Sequence, residues 1–221
     1  MKTARSIRGM SDILPEEVVC YQFLESVFRD VLHSYGYDEI RLPLVEYAEL
    51  FRRSIGCETD IVEKEMYTFL DRSDELLCLR PEGTAGCVRA AVQNGLISQG
   101  SIKKLWYMGS MFRYERPQKG RLRQFHQFGV ELLGVKDYFA DIETIYLAKC
   151  FLKKIDVLSQ TILKINSLGD NESRENYKIK LKSFLKKYIN DLSSESKIRL
   201  ENNPLRILDS KNKKDIEILS S

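Results

Sequence analysis

Histidine and tryptophan are the scarcest chemically distinctive side chains in this 221-residue chain, with two copies and one. The five cysteines, at 20, 57, 78, 87 and 150, are odd in number, and no two stand in a Cys-x-x-Cys spacing. With His33 and His126 as the only imidazoles, a structural zinc site lacks its usual ligands. Free thiols suit a reducing compartment, so the expected location is cytoplasmic. Cys20, Cys78 and Cys87 lie in apolar periodic segments and read as buried thiols. Charge of one sign is also missing: 35 Lys and Arg against 32 Asp and Glu leave a net +3. Any affinity for phosphate or nucleic acid must therefore be local. No apolar run approaches a membrane span, and the basic start at residues 1–12 has no apolar core behind it. There is no P-loop, no Gly-x-Gly-x-x-Gly and no Ser-His-Asp pattern. The hydrophobic fraction, 43%, is enough for one large domain or one domain and part of another.

Hydrophobic spacing supplies the outline. Residues 14–37 predict a helix, with Pro15 in its first turn, Glu16 and Glu17 at the positive dipole end and Gly36 as its stop. Val19, Phe23, Val27 and Val31 recur at helical spacing, widened by Leu24 and Phe28. Residues 38–47 read as one short strand carrying Pro43, which places it at an edge or a strand end. A helix ending at Gly56 follows, then two strands about a turn at Asp71–Asp74, then a helix capped by Thr84. Residues 102–115 and 121–134 form a pair of strands joined by Pro117–Gly120. A helix from Asp137 carries Ile142, Ile145, Tyr146 and Lys149 at periodic positions. Composition shifts near residue 166 to a Lys-, Asn- and Ser-rich helical stretch, where Leu181, Phe184, Leu185 and Tyr188 can pack. An antiparallel sheet with flanking helices makes the class α+β.

The stretch MFRYERPQKGRLRQFHQFGVE, residues 111–131, crowds five Arg or Lys into positions 113–123. Side chains alternate along a strand. On the first strand Arg113 and Glu115 share a face; on the returning strand Arg123, Phe125, Gln127 and Glu131 share one, with Gln124, His126, Phe128 and Val130 opposite, and if the latter set is buried the others line one polar surface. One reading is a solvated strand face with surface ion pairs. The other is a polar cup: arginine forks for phosphate, an aromatic face for a base, carboxylates for amino groups. Phe125 and Gly129 among the charges weigh against a plain solvent face. Pro-Glu-Gly at 81–83 is either a loop or a device placing Glu82 and Thr84 at a helix start, near a ligand ammonium. By alternation His126 faces the core and reads as structural; His33 has no assigned role. Trp106 and Tyr107 read as sheet packing, and the Lys-rich tail as a solvated helical face.

Six segments together resemble the N-terminal part of histidyl-tRNA synthetase, a class II aminoacyl-tRNA synthetase: IRGMSDILPEE (7–17), YGYDEIRLPLVE (35–46), EKEMYTFLDR (63–72), LRPEGTAGCVRA (79–90), MFRYERPQKGRLRQFHQFGVELLG (111–134) and NPLRILDSKN (203–212). Residues 35–46 resemble motif 1, the dimer element, and 113–131 resemble motif 2. The resemblance implies a class II catalytic sheet and a histidine–tRNA ligase that uses ATP, with Mg²⁺ bound through the substrate phosphates. It implies that Arg113 clamps the α-phosphate, that Glu115 contacts the adenine amino group with Phe125 stacking on the ring, and that Arg121 reaches the γ-phosphate. Glu82, Thr84 and Gln127 would hold the histidine α-amino group and Glu131 would read the imidazole. The loop Pro117, Gln118, Lys119, Gly120 and Arg121 would approach the acceptor end of tRNA(His). Tyr37, Arg41 and Pro43 would serve a homodimer interface, and the Lys-rich tail could touch RNA.

The expected division is 1–165 as a partial class II catalytic domain and 166–221 as the start of an inserted helical domain. No glycine-rich segment ending in Glu-Arg, the third class II motif, is present, so the chain is expected to be inactive alone. Other functions stay open: a synthetase-like regulatory subunit of histidine biosynthesis, a non-catalytic dimerisation fragment, or a general nucleic-acid module whose binding would fall steeply with salt.

Overall fold

The computed structural model describes residues 4–56, 59, 61–98, 100–167 and 169–220; Cys57 lies outside them. The chain forms two compact units, 1–161 and 162–221. No described helix is long and apolar enough to cross a membrane.

In the first unit, helix α1 (Pro15–Ser34) begins with Pro15, whose missing N–H costs nothing at that position. Its inward stripe is Phe28, Val31 and Leu32; Val19, Phe23 and Cys20 are exposed, against expectation. Helical spacing identifies a stripe but not how much of it finds a partner. The expected single strand at 38–47 is two: β1 (Asp38–Glu39) and β2 (Val45–Tyr47), separated by Pro43 and belonging to different sheets. Helix α2 (Ala48–Ile55) ends at Gly56, and a π-helical turn, Ile61–Glu65, precedes β3 (Thr68–Leu70) and β4 (Leu76–Leu79). Helix α3 (Thr84–Gln93) leads to the long strands β5 (Lys103–Phe112) and β6 (Gln124–Leu133), and α4 (Tyr138–Lys154) follows.

The sheets are small and not wholly antiparallel. One runs β1-β5-β6 with β1 parallel to β5; the other runs β2-β4-β3. The α+β mixture stands. Both faces of the β5–β6 ribbon are covered. Trp106 on one face packs with Phe28, Val31, Leu32, Tyr37 and Leu147 from the α1–α4 side, joined by Phe128 and Val130. Leu105, Tyr107 and Met111 on the other pack with Cys87 and Ala91 of α3, joined by Phe125 and Leu133. Both sets follow the strand alternation, so the period of two sorts the side chains correctly. On α4 the buried residue is Leu147, while Ile142, Ile145 and Tyr146 point outward. Tyr37 is a core residue whose hydroxyl donates to Glu143 at 3.0 Å, so it does not serve an interface; Arg41 is exposed and pairs with Glu39. His126 lies on the α1 side of the sheet but near its end, exposed, with Tyr21 edge-on at 5.1 Å.

The second unit has helices α5 (Asn171–Lys186), α6 (Ser194–Asn202) and α7 (Lys213–Leu219) about Leu181, Leu185, Leu192, Leu200 and Ile207. Phe184 packs against this cluster, and Tyr188 stacks on Phe184 at 5.2 Å. Asp215 is fully buried. It accepts from the Ser193 N–H (2.9 Å) and from the hydroxyls of Ser193 (2.8 Å), Ser196 (2.7 Å) and Ser210 (2.6 Å). Burial pushes its carboxyl up, but these four donors outweigh burial and hold it at about 2. A depressed carboxyl stabilises above its unfolded pKa, so this contribution is present at neutral pH. It is lost as pH falls from the ordinary 3.8 through about 2. Asp215→Asn is expected to cost about 2 kcal/mol and to flatten that acid dependence. Hydrogen exchange across 171–219 and thermal melting against pH check it; a variant that melts like the parent would rule it out.

Candidate active site

The α3-facing side of the β5–β6 ribbon gathers two groups of predicted residues. In the first, Arg113 lies just past β5, its N–H bonded to the Arg123 carbonyl at 2.9 Å. Its Nε–H donates to the Pro81 carbonyl at 2.9 Å, and its guanidinium sits 5.1 Å from the Phe125 ring centroid. The fork is thus held at its Nε edge. In the second group, Glu82 caps α3: its carboxylate accepts from the Thr84 N–H at 2.5 Å and the Ala85 N–H at 3.0 Å. The N-cap position itself is Gly83, so Thr84 is the first helical residue and not the cap. The Tyr107 hydroxyl bridges Thr84 Oγ1 (3.5 Å) and Glu131 Oε1 (3.2 Å).

Gln127 lies between the groups, paired with Gly109 in the ladder. Its amide makes no hydrogen bond among the described residues and stays available. Arg113, Phe125, Gln127 and Glu131 therefore stand along one side of the ribbon. Burial is the main influence on the Glu131 carboxyl and pushes it upward; hydrogen bonds from Thr84 and Tyr107 oppose it, and Glu82 adds to the rise. Cys87, beneath Glu131, is pushed up to about 11 by burial first and Glu131 second, so its thiol is inert packing.

At the far end Glu115 is not open to a ligand as it stands. Its Oε2 accepts from Arg121 Nη1 at 3.1 Å, so two residues expected to hold opposite ends of a nucleotide hold each other. Pro117–Arg121 is a tight turn closed by paired backbone bonds between Gln118 and Arg121, with Gly120 at φ +79° and Lys119 exposed at the tip. Glycine at that third position, with Lys119 at negative φ, is the type II requirement. Arg123, grouped above with the ligand face, packs 4.0 Å from the Tyr114 ring centroid and donates to the Glu115 carbonyl at 3.2 Å. It braces the turn. The N-terminal segment braces it too: the Gly9 carbonyl accepts from the N–H groups of Arg123 (2.8 Å) and Gln124 (3.1 Å).

Three residues were missed from sequence. Glu65 faces the same pocket end: burial, then Glu115, push its carboxyl upward, while Arg113, Arg121 and Lys64 oppose. Its carbonyl accepts from the Tyr114 N–H at 2.6 Å. Arg80 is 5% exposed and donates to the carbonyls of Ser110 (2.9 Å) and Leu42 (3.0 Å), tying the Pro43 segment to β5. A side chain at Gly109 would meet Arg80 at 2.6 Å. Tyr107 is the third. The one available signal was the pair of glycines, 83 and 129, flanking it in space; linear spacing does not reveal that they do.

A family model described as histidyl-tRNA synthetase matches residues 9–169. Among solved structures, apo histidyl-tRNA synthetase of S. aureus aligns with a TM-score of 0.68 at 31% identity, over 99% of this chain and 55% of its own. This chain thus spans about half the length of that enzyme. A Bacillus halodurans C protein named as an ATP phosphoribosyltransferase regulatory subunit/histidyl-tRNA synthetase aligns at 0.61 and 22%, over 98% of this chain and 62% of its own. A histidine–tRNA ligase subunit of Alicyclobacillus acidocaldarius aligns at 0.57 and 20%, over 69% and 42%. These last two likenesses bear on the fold alone.

Proposed function

The chain belongs to the histidyl-tRNA synthetase family, and from that premise we propose that it carries the motif 1 and motif 2 part of a histidine–tRNA ligase site. The observation behind the reading is the shared face: a phosphate-type arginine over an aromatic ring at one end, a half-buried carboxylate held by the Tyr107 hydroxyl at the other, and a free amide between. The spacing suits an amino acid joined to AMP.

The reaction has two steps. The histidine carboxylate oxygen attacks the α-phosphorus of ATP, and the bond to pyrophosphate breaks. A ribose hydroxyl of tRNA(His) then takes the acyl group and AMP leaves. The chain's contribution is position and charge. Arg113 neutralises the α-phosphate as negative charge shifts to the leaving pyrophosphate. Phe125 offers its ring to the adenine. Glu82, Thr84 and Gln127 receive the α-ammonium, and Glu131 accepts from an imidazole N–H. Glu115 and Arg121 serve the adenine amino group and the γ-phosphate, which requires their ion pair to open on nucleotide binding. Mg²⁺ would arrive on the nucleotide phosphates; the Glu65 carboxylate is a hard oxygen donor of the kind it accepts. The Pro117–Arg121 turn would meet the tRNA end, the Pro43 segment a second copy of the chain, and the setting would be cytoplasmic.

The regulatory-subunit reading draws on the B. halodurans likeness, and ligand choice separates the two. Calorimetry with a non-hydrolysable histidyl-adenylate analogue is expected to give saturable binding far tighter than histidine alone. Binding of histidine with no gain from the adenylate half favours a regulatory role, and no binding of either ligand overturns the ligase reading.

A further inference from the structure

We propose that Tyr107 is a positioning residue that orients Glu131 from behind and couples it to Thr84, so that the two ends of the amino-acid pocket act as one unit. The inference rests on the functional reading above and names how that site is set for its substrate.

Tyr107 is 4% exposed. Its ring passes between Gly83, at the start of α3, and Gly129, its partner across the β5–β6 ladder. A Cβ at either glycine would overlap the ring. Two separate backbones thus leave a slot for one phenol, more than a packing aromatic requires. At the end of the slot the hydroxyl lies 3.2 Å from Glu131 Oε1 and 3.5 Å from Thr84 Oγ1.

The direction of the chain follows from proton count. An ionised carboxylate only accepts, so the single phenol proton goes to Glu131. The phenol oxygen can then accept only from the Thr84 hydroxyl. Oε1 of Glu131 is held by the phenol, which fixes the plane in which the carboxylate would meet a ligand N–H. A carboxylate fixed at one oxygen rejects side chains that bring no donor to that point, because its free oxygen would stay buried and unpaired. The charged and titratable groups around Glu131 are Glu82 and Cys87 from the α3 side and Tyr107 from β5. The Tyr107 hydroxyl donates the hydrogen bond that favours the charged form, and Thr84 acts on Glu131 by holding that hydroxyl.

Histidine binding is measured by calorimetry from about pH 5 to pH 8 for the parent, Tyr107→Phe, Glu131→Gln and the double variant. Loss of the phenol hydroxyl is expected to weaken histidine about tenfold and leave ATP unchanged. The acid limb of binding moves to higher pH, because Glu131 loses a bond that favours its charged form. In the double variant Tyr107→Phe adds nothing to the loss from Glu131→Gln. An unmoved acid limb, or losses that simply add, overturns the inference while the functional reading stands. A parent protein that binds no histidine overturns both. If Tyr107→Phe does not fold, Thr84→Val on the exposed first turn of α3 asks the same question: its acid limb must also rise, and an unmoved limb counts against the coupling.

Discussion

Replacing Arg113 with Ala, in an enzyme whose site is completed by the third class II motif, is expected to lower histidine-dependent ATP–pyrophosphate exchange by about 10²–10³-fold, the loss typical for one preorganised group facing transition-state charge. Three features of the site lead there. The guanidinium is already aimed, with its Nε–H on the Pro81 carbonyl and its plane near Phe125, so little reorganisation accompanies nucleotide binding. The Pro81 segment that holds it also carries Glu82, so the phosphate and amino-acid ends share one support. The other described arginines of the pocket do not replace it: Arg121 pairs with Glu115 and is assigned to the γ-phosphate once that pair opens, Arg123 is held by Tyr114 and the Glu115 carbonyl, and Arg80 by carbonyls of the sheet. The folding cost is smaller, about 1–2 kcal/mol, for one hydrogen bond and a cation–π contact. Arg113→Lys keeps the charge without the fork and is expected to recover only part of the rate. Exchange at the parent rate in Arg113→Ala would remove the residue from the mechanism.

Gly129→Ala is expected to have the second largest effect, and against local propensity. Alanine is ordinarily favoured over glycine inside a strand by about 0.5–1 kcal/mol, so a propensity argument predicts a gain. At this position the new methyl would overlap the Tyr107 ring, and the ring cannot retreat because Gly83 lies behind it. Overpacking of this kind costs about 1–3 kcal/mol, which wins. Melting is expected to fall by roughly 3–10 °C, and histidine binding to weaken by at least about tenfold as the phenol leaves Glu131. A compensating change separates the two consequences. Tyr107→Leu with Gly129→Ala removes the ring that collides and should recover most of the melting temperature, yet binding should stay about tenfold weaker because no hydroxyl reaches Glu131. Normal histidine binding in Gly129→Ala would show that the slot does not matter.

These two sites differ in how far the chain order alone reveals them. Arg113 is legible because it precedes a turn signal and stands in a stretch of unusual charge. The face shared by Phe125, Gln127 and Glu131 is legible because a strand repeats every two residues, whatever surrounds it. Tyr107 was not legible as a donor: a tyrosine in an apolar strand looks the same whether its hydroxyl is idle or engaged. Arg123 was misassigned for the converse reason. Alternation places it on the ligand face, but only the turn shows that Tyr114 covers it. Cys20 was read as buried and is exposed, because periodicity marks a face without counting the neighbours that cover it; Tyr37, given an interface role by resemblance, is buried in the core.

Composition and spacing on their own determined the helix begun at Pro15, the β5–β6 hairpin and the sorting of its side chains, because these depend on backbone geometry within a few residues. The tertiary structure decided that the segment about Pro43 divides between two sheets, that Glu115 is held by Arg121, and that one phenol joins Thr84 to Glu131. Each of those depends on which groups come within hydrogen-bond reach in space, which chain order does not report. A hydrogen bond or a clash changes completely over such a distance, while the linear pattern that encodes it does not change at all.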